Sequence, residues 1–128
     1  MLRKILIVED EEEIIELLLS IFDDFKDYKI LCSRNSTQAL HIIETDTPDI
    51  IILDIQIPII TGIDLCRLIK SKKALSDIKI LVLTGMSQHY DIQKAIKAGA
   101  DACMTKPFNI DAIIKKVKEL LNDELEKQ

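Results

Sequence analysis

Glycine and proline are scarce, with three of each in 128 residues. Set beside 48% apolar and 30% charged residues, that scarcity excludes a collagen-like repeat, a Gly/Ser linker and a disordered tail. Positive charge is in deficit: 17 Lys and Arg against 22 Asp and Glu leave a net charge of −5. A fold that grips phosphate backbones usually runs the other way, so direct nucleic-acid contact by this chain is not expected. Cysteine is rare too. Cys32, Cys66 and Cys103 are an odd number, widely spaced and without a C-x-x-C pair, which fits neither a disulfide framework nor a zinc knuckle. Each sits in an apolar stretch, so the expectation is three buried free thiols in a reducing cytoplasm. Long apolar runs are missing as well. After Met1-Leu2-Arg3-Lys4 only Ile5-Leu6-Ile7-Val8 precedes the acidic Glu9–Glu13, neither a signal segment nor a membrane span. One soluble cytoplasmic domain over residues 1–128 is expected, long enough to bury a core of its own.

What is present is a repeated change of hydrophobic period. Short apolar runs at Ile5–Val8, Lys29–Cys32, Ile50–Leu53, Ile80–Leu83 and Ala102–Met104 are bounded by charge, as strands buried on both faces are. Between them, Glu11–Phe25, Thr37–Glu44, Ile63–Lys70, Asp91–Lys97 and Asp111–Leu125 carry helical spacing. In the first of these, Ile14, Leu18, Ile21, Phe22 and Phe25 share a face. Strand and helix alternate five times, the pattern of βαβ units with right-handed crossovers. That predicts an α/β fold with a doubly wound parallel sheet and helices on both faces. Punctuation agrees: Gly62 and Asp64 open the third helix, Gly99 closes the fourth, and Asn109 with Asp111 caps the fifth. The tail Asn122–Gln128 is polar and is expected to fray.

Ligands of such sheets bind outside the carboxyl ends of the strands. There the sequence places Glu9-Asp10, Asp54, Thr84-Gly85 and Thr105-Lys106-Pro107. Two carboxylates ~4 Å apart repel by about 4 kcal/mol at an effective dielectric of 20. Three together must raise a pKa, meet a cation, or both. An all-oxygen set suits a hard ion such as Mg²⁺. A carboxylate can also attack phosphorus, with metal, lysine and hydroxyl stabilising charge on the transferring group. Neither a G-x-G-x-x-G nor a G-x-x-x-x-G-K-[ST] loop is present, so a cradled nucleotide is not expected. No Ser-His-Asp arrangement is apparent, and His41 and His89 are read as solvated or packed.

Four segments carry a resemblance over essentially the whole chain. They are Ile5–Glu11, Leu53–Gly62, Leu83–Gly85 and Gly99–Phe108, and their order and spacing are specific where each alone is weak. The sequence resembles the receiver domain of two-component response regulators. That resemblance implies strand order 2-1-3-4-5 and a phosphorylation-controlled signalling switch of a two-component or phosphorelay system. Asp54 would be the phosphoacceptor; Glu9, Asp10, Asp54 and the backbone carbonyl of Gln56 would hold Mg²⁺ or Mn²⁺; Thr84 and Lys106 would meet the phosphoryl oxygens. Lys106-Pro107 would be cis. The donor would be a histidine kinase or histidine phosphotransfer domain, and signalling would pass through the last two helices and the last strand to an effector or output domain. Cys103 stands where the family usually offers Tyr or Phe, and Met86 stands two residues after Thr84, from which slow self-dephosphorylation is expected, with Gln56 partly compensating.

Two other classes fit the residues less well. A phosphatase working through an aspartyl phosphate would want an acid two residues beyond its nucleophile, and Gln56 stands there; the domain is read as a signalling module that modifies itself and not as a turnover enzyme. A degenerate binding module would have lost Asp54, Lys106 or one of the acidic pair, and all are present. Ile15 and Leu19, with Ile59 and Ile60, form a candidate docking patch for a helical kinase or phosphotransfer domain. Lys70, Lys72, Lys73, Lys115, Lys116 and Lys118 are read as solvated faces. A lone receiver and one cut from a longer regulator both fit the length, and a weak dimer through the fourth and fifth helices is left open.

Overall fold

The computed structural model describes residues 2–85 and 89–123 of the chain, without the side chains of residues 89–91. Its elements are β1 (Arg3–Val8), α1 (Glu12–Asp23), β2 (Tyr28–Ser33), α2 (Ser36–Thr45), β3 (Ile50–Asp54), α3 (Gly62–Ser71), β4 (Lys79–Thr84), α4 (His89–Lys97), β5 (Ala102–Thr105) and α5 (Ile110–Leu121). The strands form one parallel sheet in the order β2-β1-β3-β4-β5. Five strands, their alternation with helices and the sheet order are as expected from the sequence.

Alternation along each strand explains the two cores. In β1, Ile5 and Ile7 point to one face while Leu6 and Val8 point to the other. Ile5 and Ile7 join Ile50, Ile52, Leu81 and Leu83 against Leu18, Phe22, Ile113 and Val117 of α1 and α5. Leu6 and Val8 join Ile51, Leu53, Ile80 and Val82 against residues of α2, α3 and α4 such as Ile43, Leu65, Ile69 and Ala95. Each fully buried Ile or Leu contributes about 1.5–3 kcal/mol by leaving water, which favours the central strands most. Every residue of β3 is buried. The edge strands differ from the expectation of burial on both faces. Four of six residues in β2, and all of β5, retain some exposure, because each has a neighbour on one side only.

Local chemistry sets the helix ends. The side chains of Asn35, Thr61 and Asn109 accept from the backbone N–H groups of Gln38, Asp64 and Ala112 at 2.8, 3.2 and 3.1 Å, capping α2, α3 and α5. Gly99, at φ 107°, closes α4 as expected. Helix α5 stops at Leu121 because Asn122 takes up the left-handed conformation at φ 58°, short of the Leu125 expected; residues 124–128 lie outside the described region. Helix α1 ends at Asp23, two residues before Phe25. Phe25 instead packs beside Phe22 and Tyr28, at ring-centroid distances of 6.3 and 5.8 Å.

Several surface expectations are corrected. Ile15 is buried, 3% exposed, while Leu17 and Leu19 face outward; the buried stripe of α1 is wide enough to take in Ile15, which leaves the docking patch. Lys118 is buried, its ammonium 4.9 Å from the centroid of the Phe25 ring, where a cation over a ring face is favourable. Lys70 is tied to Asp101 at 2.9 Å and donates to the Ile78 carbonyl at 2.7 Å. Lys72, Lys73 and Lys115 are exposed as expected. Of the thiols only Cys66 is buried; Cys32 and Cys103, on the half-covered edge strands, are intermediate. Asp123 does not fray: its carboxylate binds Arg3 and Tyr28.

Candidate functional site

Parallel strands bring their carboxyl ends to one rim, and the acidic residues arrive there on the two innermost of the first three. Glu9 follows β1 directly and Asp54 ends β3, its neighbour. Both are buried, at 1% and 4% exposure, whereas Asp10 is exposed. Glu9, Asp10 and Asp54 each offer an oxygen, and these oxygens lie within 4.8 Å of one another. Thr84 ends β4 and is buried. Lys106 follows β5, and its N–H donates to the Thr84 carbonyl at 2.7 Å, which seats the residue beside the acids. The next peptide bond, Lys106–Pro107, is cis, as expected.

The Lys106 ammonium lies 2.8 Å from Glu9 Oε1 and 3.4 Å from Asp54 Oδ2. One cation thus serves two buried carboxylates with a third beside them. The electrostatic consequence falls on Glu9: burial, reinforced by a hydrogen bond with Asp54 and opposed by Lys106, pushes its carboxyl up to about 7. Burial would lower the Lys106 ammonium, but the hydrogen bond to Glu9 and the charges of Asp54 and Glu9 outweigh it and hold its pKa above the ordinary value. The backbone helps to hold the acids. Glu9 Oε2 accepts from the N–H groups of Asp10 and Glu11 at 3.1 and 3.3 Å, and Asp54 Oδ1 accepts from the N–H of Gln56 at 3.2 Å.

The loop after Asp54 is closed tightly. Gly62 N–H donates to the Ile55 carbonyl at 2.8 Å, and a Cβ on Gly62 would stand 2.3 Å from the Asp54 carbonyl oxygen. Only glycine allows the start of α3 to come so near the strand end that carries Asp54. Ile57 anchors the loop in the core, while Ile59 is 72% exposed at φ 81°.

The structure therefore brings Glu9, Asp10, Asp54, Gln56 and Lys106 together, with Thr84 at the next strand end. His41 is exposed on α2, remote in sequence from the rim residues, and the side chain of His89 lies outside the described region, as does Met86. The thiols are not candidates for nucleophilic work. Burial pushes Cys66 up to about 11 and raises Cys103 as well. Sequence reasoning missed Thr61, which caps α3, and Ser36, a buried residue of α2 bonded to the loop after Asp54. The Thr-Gly pair was a readable cap signal; the Ser36 contact, between residues far apart in the chain, left none.

A doubly wound sheet with an acid cluster and a lysine at its carboxyl rim defines the class, and residues 5–118 match the model of the response regulator receiver domain. The chain belongs to that family, whose work is phosphorylation-switch signalling. It is 34% identical over 119 residues to the alkaline phosphatase synthesis transcriptional regulatory protein PhoP of Bacillus subtilis, a match covering 93% of this chain and 48% of that protein. The chain spans about half the length of the curated relatives it matches. Among solved structures, the signal receiver domain of a signal transduction histidine kinase from Syntrophus aciditrophicus is 33% identical at a TM-score of 0.87, over 94% of this chain and 90% of that one. The receiver domain of the sensor histidine kinase PA1611 from Pseudomonas aeruginosa, which has a magnesium ion coordinated in its active-site cleft, shares the fold at 20% identity and a TM-score of 0.86, over 96% of this chain and 100% of that one.

Proposed function

We propose that Asp54 is the phosphoacceptor of this receiver and that Glu9, Asp10, Asp54 and the Gln56 backbone carbonyl are its Mg²⁺ or Mn²⁺ ligands. The observation that carries this is the charge mismatch at the rim, where three carboxylates converge within 4.8 Å and Lys106 reaches two of them. The donor set fits such an ion: it is all oxygen, largely anionic, and includes one exposed acid through which an ion can enter. When bound, the divalent ion neutralises the carboxylates and the charge on the phosphoryl oxygens.

An Asp54 oxygen attacks phosphorus; the bond from phosphorus to the donor breaks, and the electron pair leaves with the donor's imidazole nitrogen or, for a small acyl phosphate, with the carboxylate oxygen. Lys106, held over Asp54 by Glu9, supplies positive charge to a transferring oxygen, and the Thr84 hydroxyl donates to another. The backbone N–H of Gln56 fixes which face Asp54 presents. The donor is a phosphohistidine on a kinase or phosphotransfer domain, and the relatives of twice this length support an output domain as the partner that reads the switch through α4, β5 and α5. At the position of Cys103 there is no ring to swing, so the response runs through Thr84 and the packing around it. The chain modifies itself and turns over no external product. The likeness to a transcriptional regulatory protein supports a cytoplasmic site of action; among the described residues no helix is long and apolar enough to cross a membrane.

The test is intact mass after incubation with acetyl phosphate and Mg²⁺. The expected result is a gain of one phosphoryl group on the wild type and none on Asp54→Ala. A folded wild type that stays unmodified, or an Ala variant that gains the group, contradicts the assignment.

A further inference from the structure

Ser36 is fully buried at the first turn of α2, yet its hydroxyl serves none of the α2 backbone. It donates to the Pro58 carbonyl at 3.1 Å and accepts from the Ile60 N–H at 2.7 Å. The Ser36 N–H, one of the donors a helix start leaves without an intrahelical partner, reaches the same Pro58 carbonyl at 3.3 Å. Three hydrogen bonds thus join α2 to the tip of the loop between β3 and α3. Between the two bonded residues stands Ile59, a β-branched residue at φ 81°, a conformation that persists only where the surroundings fix it. At its near end the same loop carries Gln56, whose N–H donates to Asp54 Oδ1.

We propose that Ser36 is a positioning residue for Asp54, acting through the loop: its hydroxyl clamps Pro58 and Ile60, and the clamped loop holds the Gln56 amide on the carboxylate. The hydroxyl suits the task because it donates and accepts at once, so one side chain fixes a carbonyl and an amide on either side of the strained residue. This assignment rests on the proposed role of Asp54 for its functional consequence and on geometry alone for the clamp.

The experiment compares wild type, Ser36→Ala, Ser36→Thr and a control, Tyr28→Phe, which removes a hydrogen bond at the opposite end of the sheet. Amide hydrogen exchange is read at Gln56 and Ile60, together with Mg²⁺ affinity by titration of the metal alone and the rate of modification by acetyl phosphate. Ser36→Ala is expected to speed exchange at both amides and to lower Mg²⁺ affinity and modification rate by roughly three- to tenfold, the scale of one or two net hydrogen bonds. Ser36→Thr, which keeps the hydroxyl, is expected to recover most of that loss, and Tyr28→Phe to lower the melting temperature without moving any of the three readouts. Unchanged loop exchange in Ser36→Ala overturns the clamp. Faster exchange with wild-type metal affinity and rate overturns its link to Asp54. A wild type that neither binds Mg²⁺ nor takes up a phosphoryl group overturns the assigned role of Asp54, and the exchange readout then decides the clamp by itself. If Ser36→Ala does not fold, Ser36→Cys, a near-isostere with a weak donor, is measured in its place and is expected to show the same changes.

Discussion

At the amino end of the sheet, acids and cations are matched; at the carboxyl end Arg34 pairs with Glu12, but a cluster of three acids is left with one lysine. Asp123 receives Arg3 at 3.1 Å and the Tyr28 hydroxyl at 2.9 Å, Asp46 receives Lys4 and Lys29, and Asp101 receives Lys70 at 2.9 Å. Backbone donors complete the arrangement, since Asp49 accepts from the Lys4 N–H and Asp101 from that of Ile80. At the carboxyl rim Glu9, Asp10 and Asp54 converge, and Lys106 reaches two of them, Glu9 and Asp54. One end closes its charges and fastens α2, α3 and α5 to the sheet. The other holds a surplus of negative charge that an added cation relieves. Residues of the same types give stability at one end and a site at the other, and the difference lies in the local charge balance.

Removing Lys106 should break the comparison most severely. Lys106→Met leaves buried carboxylates without their cation, and a loss of roughly 3 kcal/mol is expected in denaturant unfolding of the metal-free protein. Substitution of an acid should have opposite signs at the two ends. Asp123→Ala is expected to cost about 1 kcal/mol, chiefly by leaving the Tyr28 hydroxyl without its acceptor, since Arg3 is partly exposed and keeps the Leu121 carbonyl. Asp54→Asn is expected to gain about 1 kcal/mol by relieving like-charge repulsion. Equal signs for the two variants in urea titrations would remove the distinction.

Much of this contrast was legible before the structure. The apolar runs and their alternation with helical spacing placed the parallel sheet and brought Glu9, Asp10, Asp54, Thr84 and Lys106 to one rim, because strand ends are set by a short local pattern; the strand order came from the family resemblance. The amino rim was not legible. Lys118 and Lys70 look solvated in the sequence, since nothing local marks a lysine that will lie on Phe25 or bridge to Asp101 across the fold. Asn122 was passed over as the end of α5 for a related reason: a left-handed asparagine looks like any polar residue of a tail. Ile15 was misplaced by a single position on a helix whose apolar stripe is wide. Ser36, bonded to a loop 24 residues away, depends on tertiary structure that no spacing encodes.

A further expectation concerns pH. Glu9 stands at about 7 in the folded metal-free protein against an ordinary 4.5. Between those values the folded state keeps a proton that the unfolded chain releases, so stability is expected to fall as the pH rises through that window. Melting curves across it check this, and Glu9→Gln is expected to flatten the slope.

Thermal unfolding with increasing Mg²⁺, on wild type, Asp54→Asn and Asp123→Ala, tests the charge imbalance most directly. A ligand that binds only the folded state stabilises it by about 1.4 kcal/mol for each tenfold excess over its dissociation constant. Wild type and Asp123→Ala should rise in parallel, from different starting temperatures, while Asp54→Asn starts highest and gains little. A wild type indifferent to Mg²⁺, or an Asp54→Asn variant that gains as much as the wild type, would contradict the account.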